Sequence, residues 1–202
     1  MPHPRQLERS AIVAATLAVL DERGLDALSL HAIAKHLGVR QPALYHHFPS
    51  KAALLDAAAA EVLDRRHTER LPRDGETWGA FLARNARSLR AALLAVRDGA
   101  RLIAATGPRA PDPASTLARI DFFAAQGVSA ADAVLASIAV SRYVIGCVLE
   151  EQSAPAAAIA APAEPAPETE RLRSIAADLA VLGPDREFDT GLEALIRGLA
   201  SA

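Results

Sequence analysis

An all-α fold is what this sequence predicts, and three observations predict it. Apolar residues recur at spacings of three and four in segment after segment, the period of a helix that buries one face. Glycine, proline and small polar residues fall between those segments, where helices start and stop. No β-rich segment and no internal repeat interrupts the pattern. The chain has 202 residues, 51% hydrophobic and only 4% aromatic. That is enough for one sizeable core or two small coupled ones, and too apolar for a disordered chain.

Each element can be justified in order. Residues 5–23 carry an apolar stripe of Val13, Leu17 and Leu20, widened by Ile12 and Thr16, and Gly24 stops it. Ser29 can cap a second helix, because its hydroxyl can accept a first-turn N–H. Leu30, Ile33, Ala34 and Leu37 give that helix one apolar face, and Gly38 can adopt the left-handed conformation that ends it. Pro42 is pre-organised for a first helical position, after Gln41. Leu44 and Phe48, four apart, anchor this third helix. Ser50 caps a fourth that runs from Lys51 to about Arg70.

Pro, Asp and Gly make 71–76 a loop. Helix follows from about Thr77 to Ala95, with Trp78, Phe81, Leu82, Leu89 and Leu93 inward, then a short helix at 97–105. Residues 106–113 hold three prolines and form a loop. Helices at 114–126 and 130–151 are parted by Gly127, with Ser129 the cap of the second. That second helix is apolar on more than one side (Val134, Leu135, Ile138, Val140, Val144, Ile145, Val148) and needs partners on several sides. The four prolines of 153–168 read as a flexible connector. A helix at 169–182 stops at Gly183-Pro184. The last, 186–200, carries one clean stripe: Phe188, Leu192, Leu195, Ile196 and Leu199. This stripe and the helix at 130–151 fit a dimer interface, and intramolecular packing would give the same period.

Function is most legible in LSLHAIAKHLGVRQPALYHHFPSKAALL, residues 28–55. Two short amphipathic helices meet at a tight turn. The second leaves Gln41, Ala43, Tyr45, His46 and His47 on its outward side. A major groove admits a short helix with polar and aromatic tips; an ordinary helical hairpin with a solvated face has the same spacing. Net charge is only −2. Residues 1–51 carry six Lys or Arg against four Asp or Glu, and the rest sixteen against twenty. Five of the six histidines lie in that first segment and can add charge beside phosphate. The asymmetry fits a specific binder making few phosphate contacts.

No apolar run approaches bilayer length, and the N-terminus has no secretory h-region. Cys147, the single cysteine, reads as a small core residue. An intracellular, cytoplasmic location is the expectation. No Gly-rich phosphate loop, HExxH, GxSxG or cysteine pair marks an enzyme.

The segment LSLHAIAKHLGVRQPALYHHFPSKAALLDA resembles the DNA-binding domain of TetR-family transcriptional repressors. EVLDRRHTE, GETWGAFLARNARSLRAALLAVRDGA, FFAAQG and GCVLEEQ resemble that family's tetracycline-responsive members, over roughly residues 7–152. The resemblance implies a three-helix helix-turn-helix domain at 1–50 and a helical ligand-binding and dimerisation domain at 51–202. It implies a homodimer joined through a four-helix bundle, reading a palindromic operator at half-sites about 34 Å apart, and released by a small-molecule inducer. A ligand-independent DNA-binding or scaffold protein of the same fold is the alternative.

Residue by residue, the resemblance gives Gln41 as a base reader, able to bond an adenine edge, and Pro42 and Ala43 as thymine-methyl contacts. Tyr45, His47 and Lys51 are backbone contacts, and Ser29 and Arg40 complete the DNA-facing set with His31 and His46. His31 stands where those repressors have arginine and His46 where they have tryptophan, so a different operator is expected. For the ligand, His67 and Asn85 match the drug-contacting histidine and asparagine, with Leu89, Thr106 and Arg119 as further contacts. Glu150 matches a glutamate that reaches a drug-borne magnesium through water. Ile103 replaces the histidine that binds that metal directly, and Thr106-Gly107-Pro108 lacks the family loop's arginine. The magnesium–tetracycline site is therefore expected to be lost, with no metal or cofactor, and the inducer to be an organic molecule.

Overall fold

The computed structural model describes residues 7–106, 112–153 and 167–200, which contain helices and no strand. They are α1 (Arg9–Arg23), α2 (Leu30–Leu37), α3 (Pro42–Tyr45), α4 (Lys51–Arg66), α5 (Trp78–Leu94), α6 (Gly99–Thr106), α7 (Pro113–Ala124), α8 (Ala130–Ser153) and α9 (Pro167–Ala200). The expected caps are in place. Ser29 Oγ accepts Ala32 N–H and Ser50 Oγ accepts Ala53 N–H, both at 3.1 Å. Gly38 closes α2 in the left-handed conformation, at φ 68°. Ser129 Oγ accepts Asp132 N–H at the start of α8.

Two apolar cores organise the chain. One is formed by α1–α3 with α4 and one side of α6: Ile12, Val19, Leu20, Leu28, Ile33, Leu44, Phe48, Leu54, Ala58, Val62 and Leu102 are buried in it. Fully burying a side chain such as Leu44 or Phe48 contributes about 1.5–3 kcal/mol. The other joins α5, α7, α8 and the end of α9 around Phe81, Leu93, Phe123, Val140, Val144, Val148, Phe188 and Leu192. Ile103 packs against both.

Polar ties cross the joint between them. Asp98 Oδ2 accepts Leu25 N–H at 2.7 Å, and Asp21 Oδ1 accepts Arg97 N–H at 3.0 Å. Arg101 pairs with both oxygens of Asp26, at 2.6 and 3.0 Å. Asp98 itself sits at φ 56°, a left-handed conformation that aspartate tolerates better than most residues. Gly24 faces it at φ 78°, and a Cβ there would lie 3.0 Å from Asp98 Oδ2. The ties need that close approach.

Two expectations are corrected, and the ambiguous 186–200 stripe is placed in part. α4 ends at Arg66 rather than near Arg70, because His67 leaves the helical region at φ −88°, ψ 80°. Arg84 on α5 then holds the released loop: it bonds Glu76 through both oxygens, reaches Glu69, and donates to Leu71 O. The stripe on 186–200 packs within its own chain, with Phe188 and Leu192 buried and Leu195, Ile196 and Leu199 half-buried against α5 and α8. And α8 is long and apolar enough to cross a membrane by composition, with a mean hydropathy of 1.7 over its most apolar window. Its Val140, Val144 and Val148 are instead packed on neighbouring helices, while Val134, Leu135 and Ile138 remain exposed. Gly183, at φ 73°, breaks α9 where Gly-Pro was expected to stop it. Most of the 153–168 connector, and Gly107-Pro108, lie outside the described residues.

Candidate functional site

The first site is the outer surface of α2 and α3. Leu44 and Phe48 fix α3 to the core, each 1% exposed. His31, Arg40, Pro42, Tyr45 and His46 are exposed; Gln41, Ala43 and His47 are half-buried at the same end. Ser29 is exposed, with its hydroxyl engaged as the α2 cap. Arg9 orients this surface, and sequence reasoning missed it. Its guanidinium donates to His47 O at 2.6 Å and lies 3.9 Å over the Phe48 ring, pinning the end of the helix turn to α1. Lys51, expected to meet a phosphate, donates to Leu28 O at 2.6 Å. It thereby ties the start of α4 to the turn before α2, and keeps its exposed position beside the recognition surface.

The second site begins where α4 stops. Asn85 Nδ2 donates to Glu69 O at 2.7 Å and lies 3.3 Å from His67 Nε2. The carbonyl fixes the amide's orientation, so an amide N–H faces Nε2 and the imidazole proton belongs on Nδ1. Nδ1 is 3.0 Å from Ser88 Oγ, which also accepts Glu69 N–H. Ser88, one turn beyond Asn85, is the member of this network that the sequence did not flag. Burial, then the charges of Arg70 and Arg119, push His67 down to about 4. It is a neutral imidazole at physiological pH.

Leu89 is buried one turn along α5 from Asn85. Ile103 is half-buried on α6, and Thr106 Oγ1 donates to its carbonyl at 3.0 Å. Arg119, half-buried on α7, lies near enough to influence His67. Glu150 is exposed on α8 beside Cys147. Burial raises the Cys147 thiol, which disfavours the nucleophilic thiolate. Ile103 has no lone pair for a metal, and among the described residues no three His, Cys, Asp or Glu side chains converge. The donor set does not fit a directly held divalent ion.

Comparisons with known proteins agree on the family. Residues 12–58 match the family described as "Bacterial regulatory proteins, tetR family", and residues 71–202 match "Tetracyclin repressor-like, C-terminal domain". The chain is 43% identical to the tetracycline repressor protein class A from transposon 1721 of Escherichia coli, over 96% of this chain and 91% of that one. The crystal structure of TetR from Acinetobacter baumannii AYE superposes with a TM-score of 0.82 at 41% identity, covering 97% of this chain and 98% of that one. TetR(class A) in complex with 5a,6-anhydrotetracycline and magnesium gives 0.73 at 36% identity, covering 96% and 99%.

Proposed function

The chain belongs to the TetR family of bacterial regulatory proteins, and we propose that it is a homodimeric transcriptional repressor released from a palindromic operator by a small organic molecule. One observation carries this reading. α4 is a single unbroken helix whose first residue, Lys51, is tied beside the exposed α2–α3 surface and whose C-cap is His67, the centre of the polar network. A molecule that rearranges His67 therefore acts on the end of the rod that carries the DNA-reading helices. Such a ligand shifts the balance of states only by its differential affinity for them.

Residues 1–50 read DNA in this proposal, and 51–202 sense ligand and dimerise. Gln41, Pro42, Ala43, His31 and His46 meet base edges. Ser29, Arg40, Tyr45, His47 and Lys51 meet the backbone. His67, Asn85, Leu89, Ile103, Thr106, Arg119 and Glu150 meet the ligand, with no resident metal. The exposed side of α8 at Val134, Leu135 and Ile138 joins two copies. The relatives are described as regulators, and in this reading the protein works as a non-enzymatic regulator in the cytoplasm.

The test is direct. The purified protein should shift the duplex immediately upstream of its own coding sequence, at a salt-dependent affinity, and a screen of small organic molecules should find compounds that release it. Equal binding to that duplex and to random DNA would overturn the operator-specific reading. Specific binding that no compound relieves would leave a ligand-independent regulator.

A further inference from the structure

Arg119 stands apart from every other half-buried arginine. Arg70 pairs with Asp64, Arg84 with Glu69 and Glu76, Arg90 with Glu151 and Asp185, Arg101 with Asp26 and Asp98, and Arg173 with Glu170. Among the described residues Arg119 alone is half-buried without a carboxylate. Its one hydrogen bond is a long 3.4 Å contact to Thr116 Oγ1 within its own helix. Asp112, the acid that feels its charge, is an exposed N-cap bonded to Ser115 N–H at 2.8 Å and lies beyond ion-pair distance.

Arg119 also points inward. It precedes the buried Phe123 by four residues, so both share the face of α7 turned to the second core. Across that interior lie the neutral His67, the amide of Asn85 and the apolar side chain of Ile103. None of its guanidinium nitrogens is both buried and unpartnered, so the charge is held at the inner face of α7, still hydrated and without an anion. An incoming carboxylate can meet it with two parallel charge-assisted bonds. A divalent ion arriving with the ligand would instead meet a like charge in a medium less screened than water, and Ile103 would offer it no ligand.

We propose that Arg119 is an anion anchor, and that the inducer is an organic acid carrying a carboxylate or sulfonate on a largely apolar body, bound without metal. This rests on the reading of the interior as the inducer site. Asn85 Oδ1, which the network leaves open, would take a hydrogen-bond donor elsewhere on the same molecule.

The probes are 2-naphthoate and 1-anilinonaphthalene-8-sulfonate, against methyl 2-naphthoate and N-phenyl-1-naphthylamine, their uncharged counterparts. Binding to the intact protein is followed by calorimetry and by release of the labelled upstream duplex. The acids should bind more tightly than the neutral pair. Arg119→Gln should weaken the acids by roughly ten- to a hundredfold, the worth of a charge-assisted bond, and leave the neutral compounds unchanged. Arg119→Lys should lie between. Arg119→Gln should melt with the wild type, since it breaks no ion pair. Failure of the acids to bind, equal binding of acid and neutral probe, or an unchanged acid affinity in Arg119→Gln each overturns the proposal. Failure of the unliganded protein to bind its duplex speaks instead against the repressor reading.

Discussion

The α2–α3 surface and the His67 network are built in opposite ways. The first sits on a locally capped frame. Ser29 and Ser50 cap within three residues, Leu44 and Phe48 bury α3 in the first core, and Arg9 and Lys51 tie its ends across 38 and 23 residues. The second has no frame of its own. His67 ends α4, Asn85 and Ser88 stand on α5, Ile103 on α6 and Arg119 on α7. A surface on such a frame can change its outward residues without disturbing it. A site made from four helices changes its chemistry whenever one of them shifts, which is what a sensor requires.

The contrast can be broken most severely at the apolar faces. Leu192 is fully buried and Leu135 is 61% exposed. Leu192→Glu should place an unpaired charge in the second core at a cost of several kcal/mol, and circular dichroism should show loss of fold. Leu135→Glu should keep the fold and yield monomers in sedimentation. A folded dimer from Leu135→Glu would show that the α8 face is not the seam.

Gln41→Ala comes next. It should remove about 1–3 kcal/mol of discrimination at one base pair per half-site, measured by competition with operators substituted singly. Loss spread evenly over all positions would mean that Gln41 positions the helix rather than reads.

Acid should then separate the two regions. The unfolded chain protonates His67 near its ordinary value of 6.5, whereas the folded chain resists until about 4. The stability gained by a neutral imidazole is complete above 6.5 and is lost as pH falls through 6.5 toward 4. Denaturant midpoints of wild type and His67→Gln should run parallel above 6.5 and converge or cross below it. Parallel curves down to pH 4 would show that His67 does not feel the burial argued for it.

The smallest effect belongs to Lys51→Ala. If the residue also meets a phosphate, the slope of log affinity against log salt should fall by about 1. An unchanged slope with a lower melting temperature would assign Lys51 wholly to its bond with Leu28.

This division also explains what could be read in the sequence. Caps, stops and stripes are local, so the fold class, the Gly38 and Gly183 breaks and the burial of Leu44 and Phe48 were all visible. The end of α4 was not, because nothing in His67–Arg70 forbids helix; Arg84 and Glu76, from farther along the chain, define the loop. Arg9 beneath His47 and Ser88 beneath His67 were invisible for the same reason. The partner of the 186–200 stripe was ambiguous, because periodicity records that a face is covered and not by which chain.

The length of α4 sets a scale for signalling. Its 16 residues span about 24 Å at 1.5 Å per residue. Pivoting that rod by roughly 5° at one end would carry the other about 2 Å. In a symmetric pair the two displacements add, to about 4 Å against a half-site separation of about 34 Å. A rotation that small at the His67 end would then become a misfit that a stiff double helix does not follow.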